Sequence, residues 1–480
     1  MIQTKFQPFM IKTKLHYLLA VSFLIALFSC NEYPDNGWSE SSFRVSSDSI
    51  SFDTIVSTYG TTTKSFRIIN QSYQSLLINK IELADGGDSY FRLNVDGKPV
   101  ASTSAIEIPG HDSIFVFVEA TFPDFDTDSV CFQSDSVLIF TANQTTNVRL
   151  FTWTQDVIKK TGVLKAGEVW EGKRPYLIRD SVEISYGEKL VIKKGVRIFL
   201  HKYAFIKVVG DLIVEGTKDS PVVFQGDRFD TNEEGLSYEE APGQWGGISI
   251  YPFSKGTKLN YAEINGADFG IWAGGIGYPE LAELEISNSI IKNNSNAGII
   301  SFGAKINCWN TFFADSRTCI ALYNQGSYRF NYITINNQYA ENRDVGSVHI
   351  SDFFDYDETR YVGEFDQISF TNSIIIGKND DEFTMNILNA ESIPVFFDHV
   401  SLKEKSEDYF TDNVKQNALF LNKDSLFIDY ETGNFMFPDT LAFAIDKGDM
   451  NIASQYPSDI LGNSRTVDGK PDLGVVEFQK

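Results

Sequence analysis

The side chains in the middle of the chain are the ones whose types and spacing bear on chemistry. Asp268 and Trp272 stand close together, Asp315 and Arg317 follow, and Arg329 comes next. Asp352, Asp355, Asp357, Glu358 and Arg360 then form an acidic run interleaved with Phe353, Phe354, Tyr356 and Tyr361. Glycoside hydrolysis requires paired carboxylates, one to protonate the leaving oxygen and one to attack the ring or activate water. Aromatic rings beside such acids suit the lining of a sugar-binding groove; the competing expectation is a solvated loop with its aromatics buried. No two-plus-one aspartate set of a hydrolase is visible, so these residues stand as groove candidates and none is assigned as catalytic. The five histidines form no triad and no metal spacing, and no CxxC occurs, so no metal ligands are assigned and no cofactor is expected.

These residues need a scaffold, and composition says which kind. The chain has 480 residues, 42% of them apolar, with 39 Phe and 21 Tyr. Two or three domains and a real core follow. Helical periodicity is scarce after the first thirty residues, while short alternating runs rich in β-branched and aromatic residues recur, which predicts an all-β chain. The formal net charge is −23, and residues 1–29 carry Lys5, Lys12 and Lys14 with no acid, which takes the remainder to −26. Such a surface repels phosphates, so nucleic acid is excluded as a partner. The plain meaning of the charge is solubility; a calcium-dependent surface lacks any loop pattern to support it.

Lys12 and Lys14 precede an apolar run from Leu18 to Phe28, too short to span a membrane comfortably, with either Met1 or Met10 as the start. The run ends in Leu27-Phe28-Ser29-Cys30, which resembles the bacterial lipobox. That resemblance implies a diacylated Cys30, a stable tether to a membrane and, with Asn31 following, an outer-membrane address in either leaflet. The other cysteines, Cys131, Cys308 and Cys319, are odd in number and make no disulfide framework; Cys308 and Cys319 are expected as buried thiols, with a pair as the alternative.

Asp followed by Ser or Thr and an aliphatic residue occurs eight times, at Ser49, Thr54, Ser113, Ser129, Ser136, Ser181, Ser425 and Thr440. One such triplet is an ordinary turn before a strand. The set resembles the O-glycosylation motif of envelope proteins in the Bacteroidetes, which would make those hydroxyls acceptors.

Residues 1–29 are thus a leader and 30–45 a linker. Residues 46–158 hold strands at 65–70, 76–83, 113–120, 136–140 and 147–152, with turns at Gly86-Gly87, Asp96-Gly97 and Pro109-Gly110, a spacing that suggests an immunoglobulin-like sandwich. From 160 to 445 the signal is repetition. Asn288, Asn310, Asn331 and Asn372 each precede a hydrophobic strand, at steps of 22, 21 and 41 residues. The last step is expected to span two coils, with Val348-His349-Ile350 as the strand between. Repeats of this length mean a solenoid, and the asparagines are expected to form a structural ladder.

Trp245-Gly246-Gly247-Ile248 resembles the coil start of right-handed parallel β-helix proteins of the pectate-lyase-like superfamily, and the likeness extends over roughly 165–445. Residues 446–480 resemble the closing segment of secreted bacterial β-helix proteins and are expected to cap the solenoid, Arg465 pairing with Asp472 or Glu477. The resemblance implies the fold: an N-terminal β-sandwich, a right-handed parallel β-helix and a C-terminal cap. It leaves function open, because the fold hosts lyases, hydrolases and non-enzymes. A lyase would need a base for the proton alpha to the uronate carboxylate, and calcium to offset the acidic chain; calcium enters under that reading alone. The favoured expectation is a membrane-anchored envelope lipoprotein, a binding or scaffold protein that contacts glycan or another envelope component without catalysis. The alternatives are a polysaccharide lyase or hydrolase, and an adhesin or stalk with a protein partner.

Overall fold

The computed structural model describes residues 43–100, 105–142, 144–231, 237–339, 343–388, 395–405, 414–422 and 444–478. The leader, Cys30, Ser425 and Thr440 lie outside the described residues. The chain divides into two compact units. One takes the described residues up to Ser51, Gly60–Ala120 and Ser134–Phe151; the other takes Phe52–Tyr59, Thr121–Gln133 and the described residues from Thr152 on.

The front of the chain forms two antiparallel sheets. One has the order Phe43–Val45, Lys64–Asn70, Ser113–Ala120, Phe91–Val95, Lys98–Val100; the other runs Ser49–Val56, Thr145–Gln155, Cys131–Phe140, Lys80–Leu83. Alternation in the strands sends Phe66, Ile68, Val116 and Val118 of one sheet, and Ile81, Val137, Ile139 and Val148 of the other, into a core at 0–1% exposure. The stretch 76–83, expected as one strand, is two. Leu76–Ile78 pairs with Ile106–Ile108, while Lys80–Leu83 pairs with Val137–Phe140. Asn79 between them donates its amide to the Phe140 carbonyl, and the chain changes partners there.

From Ile158 to Asn422 the strands form one 25-stranded parallel ladder, a β-helix whose strands pair with the strand three along for most of its length. The coil therefore has three faces. The first includes Thr257–Asn260, Ala282–Ser287, Ala304–Trp309 and Gly326–Asn331; the second Ala262–Asn265, Ile290–Lys292, Phe312–Ala314 and Thr334–Asn337; the third Trp245–Ile250, Ala267–Gly274, Ala297–Phe302, Thr318–Tyr323 and Val348–Ser351. Register stacks like on like. On the third face Ile206, Ile248, Ile271, Ile299, Ile320, Val348 and Phe383 lie one above the next, all at 0% exposure. Burial of each such side chain contributes about 1.5–3 kcal/mol. The glycines of the Trp245–Ile248 motif are needed for clearance. A Cβ on Gly246 would stand 2.3 Å from the Phe205 ring, and one on Gly247, at φ 142°, 2.0 Å from the Phe269 carbonyl.

The asparagine repeat marks the turn from first to second face, where Tyr261, Asn288, Asn310, Tyr332, Asn372 and His399 all have φ between 45° and 54°. Left-handed backbone costs most L-residues about 1–2 kcal/mol and is best borne by Asn after Gly. Asn288 donates to Asn260 Oδ1 at 2.9 Å and Asn310 to Asn288 Oδ1 at 3.0 Å, a ladder as expected. Two details differ. Asn331 is one residue short of the corner, which Tyr332 occupies. The step of 41 is one coil, because 326–331 pairs directly with 365–371; Val348–Ser351 is the third-face strand of that same coil, followed by an inserted hairpin, Phe353–Tyr356 with Thr359–Val362.

Residues 444–478 cover this corner. Its carbonyls and amides meet the turn side chains in order: Tyr261 Oη donates to Ile460, Asn310 to Ser458, and Asn372 both donates to the Asp449 carbonyl and accepts its amide. Arg465 is wholly buried, 3.6 Å over the Tyr332 ring, donating to Asn310 Oδ1 at 2.8 Å, with Glu477 Oε2 at 3.9 Å. Of the two expected partners Glu477 is the one beside it; the Asp472 carboxylate accepts the amides of Asp446 and Phe478.

Candidate functional site

The solenoid offers two surfaces with chemistry. On the first face, Lys258, Glu285, Asn307 and Arg329 stand in register on successive coils, flanked by Glu283, Lys305 and Ser327. With Lys255 they line a cavity of about 270 Å³. Its charges are tied to one another: Lys258 reaches Glu285 at 2.9 Å, Lys305 reaches Glu283 at 3.5 Å, and Arg329 donates to Gln367 at 3.2 Å. Lys255 donates to the Leu281 carbonyl. Cross-coil pairs of this kind follow directly from parallel stacking, which places opposite charges side by side.

The second surface is the turn from third to first face. Tyr186, Phe253 and Tyr278 project there at 75%, 41% and 49% exposure, each ring centroid 6.3 Å from the next and edge-on to it. An exposed row of large rings is the informative kind of surface apolarity, since isolated exposed hydrophobics are ordinary. Tyr361 of the inserted hairpin packs against Gly277, beside Tyr278; a Cβ on Gly277 would lie 2.8 Å from that ring.

The residues singled out from the sequence do not converge. Asp268, at the start of the third-face strand Ala267–Gly274, accepts from Ser295 Oγ at 2.7 Å, and Asp315, at φ 41° on the turn from second to third face, accepts the Gln338 amide at 3.1 Å. Arg317, on the same turn, faces Asp344 at 3.7 Å. Trp272 lies on the third face, 5.0 Å from Phe302, which stacks on Tyr323 and meets Phe354 of the hairpin. Arg329 is on the first face. Asp352 is buried and accepts the Leu388 amide with both oxygens. Asp355 and Arg360 form a two-pronged exposed pair across the hairpin, at 2.6 and 2.7 Å, which lowers the carboxyl pKa of Asp355. Asp357 and Glu358, at φ 49° and 60°, are the two-residue turn at its tip. The acidic insertion is therefore a hairpin that lays Phe354 on the third face, and its charges serve its own turn.

His349, beneath this cluster, donates or accepts at Thr384 Oγ1 across 2.9 Å, and burial lowers its pKa. Cys308 sits in the first-face interior stack between Ile286 and Phe330, and Cys319 on the third face; both are free and buried, and burial pushes Cys308 up to about 12. Of the hydroxyls in Asp-Ser/Thr triplets, Ser129 is exposed, while Ser49, Thr54, Ser113, Ser136 and Ser181 are half-buried. Asp112 and Asp135 accept the amides of Ser113 and Ser136, the local bond that makes this dipeptide a strand starter.

No protein-family model matches the chain, and no curated protein sequence does. Among solved structures, a family 123 glycoside hydrolase from Clostridium perfringens aligns over 27% of this chain and 30% of its own at 6% identity, with a TM-score of 0.20. The E. coli chaperone DraB aligns over 24% and 55% at 12% identity, TM-score 0.17, and a PapD-like domain of human CEP192 over 27% and 94% at 13% identity, TM-score 0.18. The chain thus spans under a third of the hydrolase and about half of DraB. Likenesses at these scores bear on neither fold nor activity.

Proposed function

We propose that this chain is a cell-envelope lipoprotein, tethered through acylated Cys30, whose β-helix binds glycan without cleaving it. The row Tyr186–Phe253–Tyr278 carries this reading. Ring faces and edges left open to solvent on a rigid scaffold offer the apolar side of a sugar ring a platform at low entropic cost. The Leu27–Cys30 motif supports the tether, and the acidic surface favours a neutral polymer over a polyuronide. A second reading, a carbohydrate-active enzyme, draws on the first-face cavity, where Lys305 and Arg329 stand on adjacent coils beside Glu283 and Glu285.

Gel electrophoresis of the purified chain through neutral and uronate polysaccharides, with ultraviolet absorbance recorded for unsaturated products, separates the readings. Retarded migration without absorbance supports binding. Rising absorbance makes the chain a lyase and moves attention to the first face. Unretarded migration through every polymer removes the glycan reading and favours a protein partner. For the tether, Cys30→Ser is expected in the soluble fraction; its recovery in the membrane pellet would count against acylation.

A further inference from the structure

Among the described residues, the last left-handed position at the turn from first to second face differs from the five before it. Tyr261, Asn288, Asn310, Tyr332 and Asn372 are followed in the column by His399. Its neighbour Asp398 is in register with Thr371 on the coil below. The covering segment arrives at the same place with Asp449, whose amide is held by Asn372 and whose Oδ1 caps the helix Met450–Gln455 by accepting from Asn451. One ligand-type atom from each of Asp398, His399 and Asp449 lies within 4.8 Å of the others. The hydrogen bonds already made by the two carboxylates, from His399, Asn417 and Asn451, fall on Oδ1 in each case.

Two carboxylates from segments fifty positions apart face one imidazole in a half-buried setting. Like charges brought this close in a strongly acidic chain repel unless a cation lies among them. One nitrogen and two carboxylate oxygens form a mixed donor set, which a borderline ion such as Zn²⁺ accepts and which suits Ca²⁺ or Mg²⁺ less, since they prefer oxygen alone. Zn–N and Zn–O bonds of about 2.0–2.2 Å place tetrahedral ligands about 3.5 Å apart, within reach of side-chain rotation from the observed arrangement. We infer that Asp398, His399 and Asp449 form a divalent transition-metal site that pins the C-terminal segment to the solenoid, with solvent completing the coordination. The role is structural, because the metal joins two segments that otherwise meet here through Asn372.

Calorimetric titration of the untagged, chelator-stripped full chain with Zn²⁺ tests this, with Mg²⁺ and Ca²⁺ titrated in parallel. One Zn²⁺ per chain is expected, unaffected by millimolar Mg²⁺, together with slower proteolytic cleavage within 444–478. His399→Asn keeps a residue suited to this turn, as Asn372 shows one coil earlier, so the fold is retained while the nitrogen ligand is lost; Zn²⁺ affinity should fall at least about tenfold. Asp449→Asn should do the same. Absence of stoichiometric Zn²⁺ uptake, or equal uptake by His399→Asn, would overturn the site.

Discussion

Two edges of one solenoid are built in opposite ways. The turn from first to second face is filled with Asn, Tyr and His side chains in left-handed backbone, and 444–478 closes over it. The turn from third to first face carries open rings at Tyr186, Phe253 and Tyr278. On the covered edge polar side chains meet partners in order, and their repetition reflects stacking geometry. On the open edge the three rings remain 41–75% exposed, although the fold has interior room for aromatics elsewhere, as the Phe330–Phe370–Phe397 stack shows. Regular repetition in a solenoid therefore points to structure, and the side chains that break it point to use.

The covered edge should break most severely at Arg465. Arg465→Ala strips Asn310 of a donor and leaves the Glu477 carboxyl buried beside Tyr332, a loss of about 3–5 kcal/mol readable as a lower urea midpoint. An unchanged midpoint would mean that the closing segment adds nothing to the solenoid. On the coil of His399, burial and the neighbouring Asp381 push Glu404 up to about 9, from an ordinary 4.5. The folded state then holds a proton that the unfolded state releases, so stability falls as pH rises from about 5 to 9. Glu404→Gln should remove that fall and be about 2 kcal/mol more stable than the native chain at pH 8, the gap closing near pH 4. A parallel pH profile in the variant would contradict a protonated Glu404.

At the open edge, Phe253→Ala or Tyr278→Ala should weaken glycan retardation about tenfold, equal to about 1.4 kcal/mol, while thermal unfolding moves little because both rings lie on turns, outside the interior stacks, and are already partly exposed. The smallest effect is expected on the first face. Lys258→Ala removes an exposed ion pair with Glu285 and should change stability by under about 0.5 kcal/mol with no change in glycan retention. A large loss of retention there would transfer the binding site to the first-face cavity.

The fold was legible where one residue type does one physical job at a regular interval. Gly246 and Gly247 announce a coil because no Cβ fits, and Asn288, Asn310 and Asn372 mark a turn because Asn tolerates left-handed backbone. The same logic misplaced Asn331, since Tyr332 holds the turn and only register distinguishes them. It also read the 41-residue step as two coils, because the long connection 338–347 and the hairpin inserted after Val348–Ser351 together add nearly the length of a coil. The break at Asn79 left no mark in the alternating apolar pattern on either side. The aromatic row was illegible: Tyr186, Phe253 and Tyr278 sit on turns of unequal length, so they share no spacing, and the acidic insertion drew attention to charges that pair across their own hairpin. Asp398, His399 and Asp449 were hidden similarly, as the chain brings them together from distant segments.

Glycan binding along the open edge is tested most directly by comparing the full chain with the Tyr186→Ala/Phe253→Ala/Tyr278→Ala variant in gels containing xylan, mannan, β-glucan or pectin. The native chain is expected to be retarded by at least one neutral polymer and the variant to migrate as in a polymer-free gel, with matching circular dichroism. Equal retardation of both, or none of either in any polymer, would contradict a glycan-binding role for this edge.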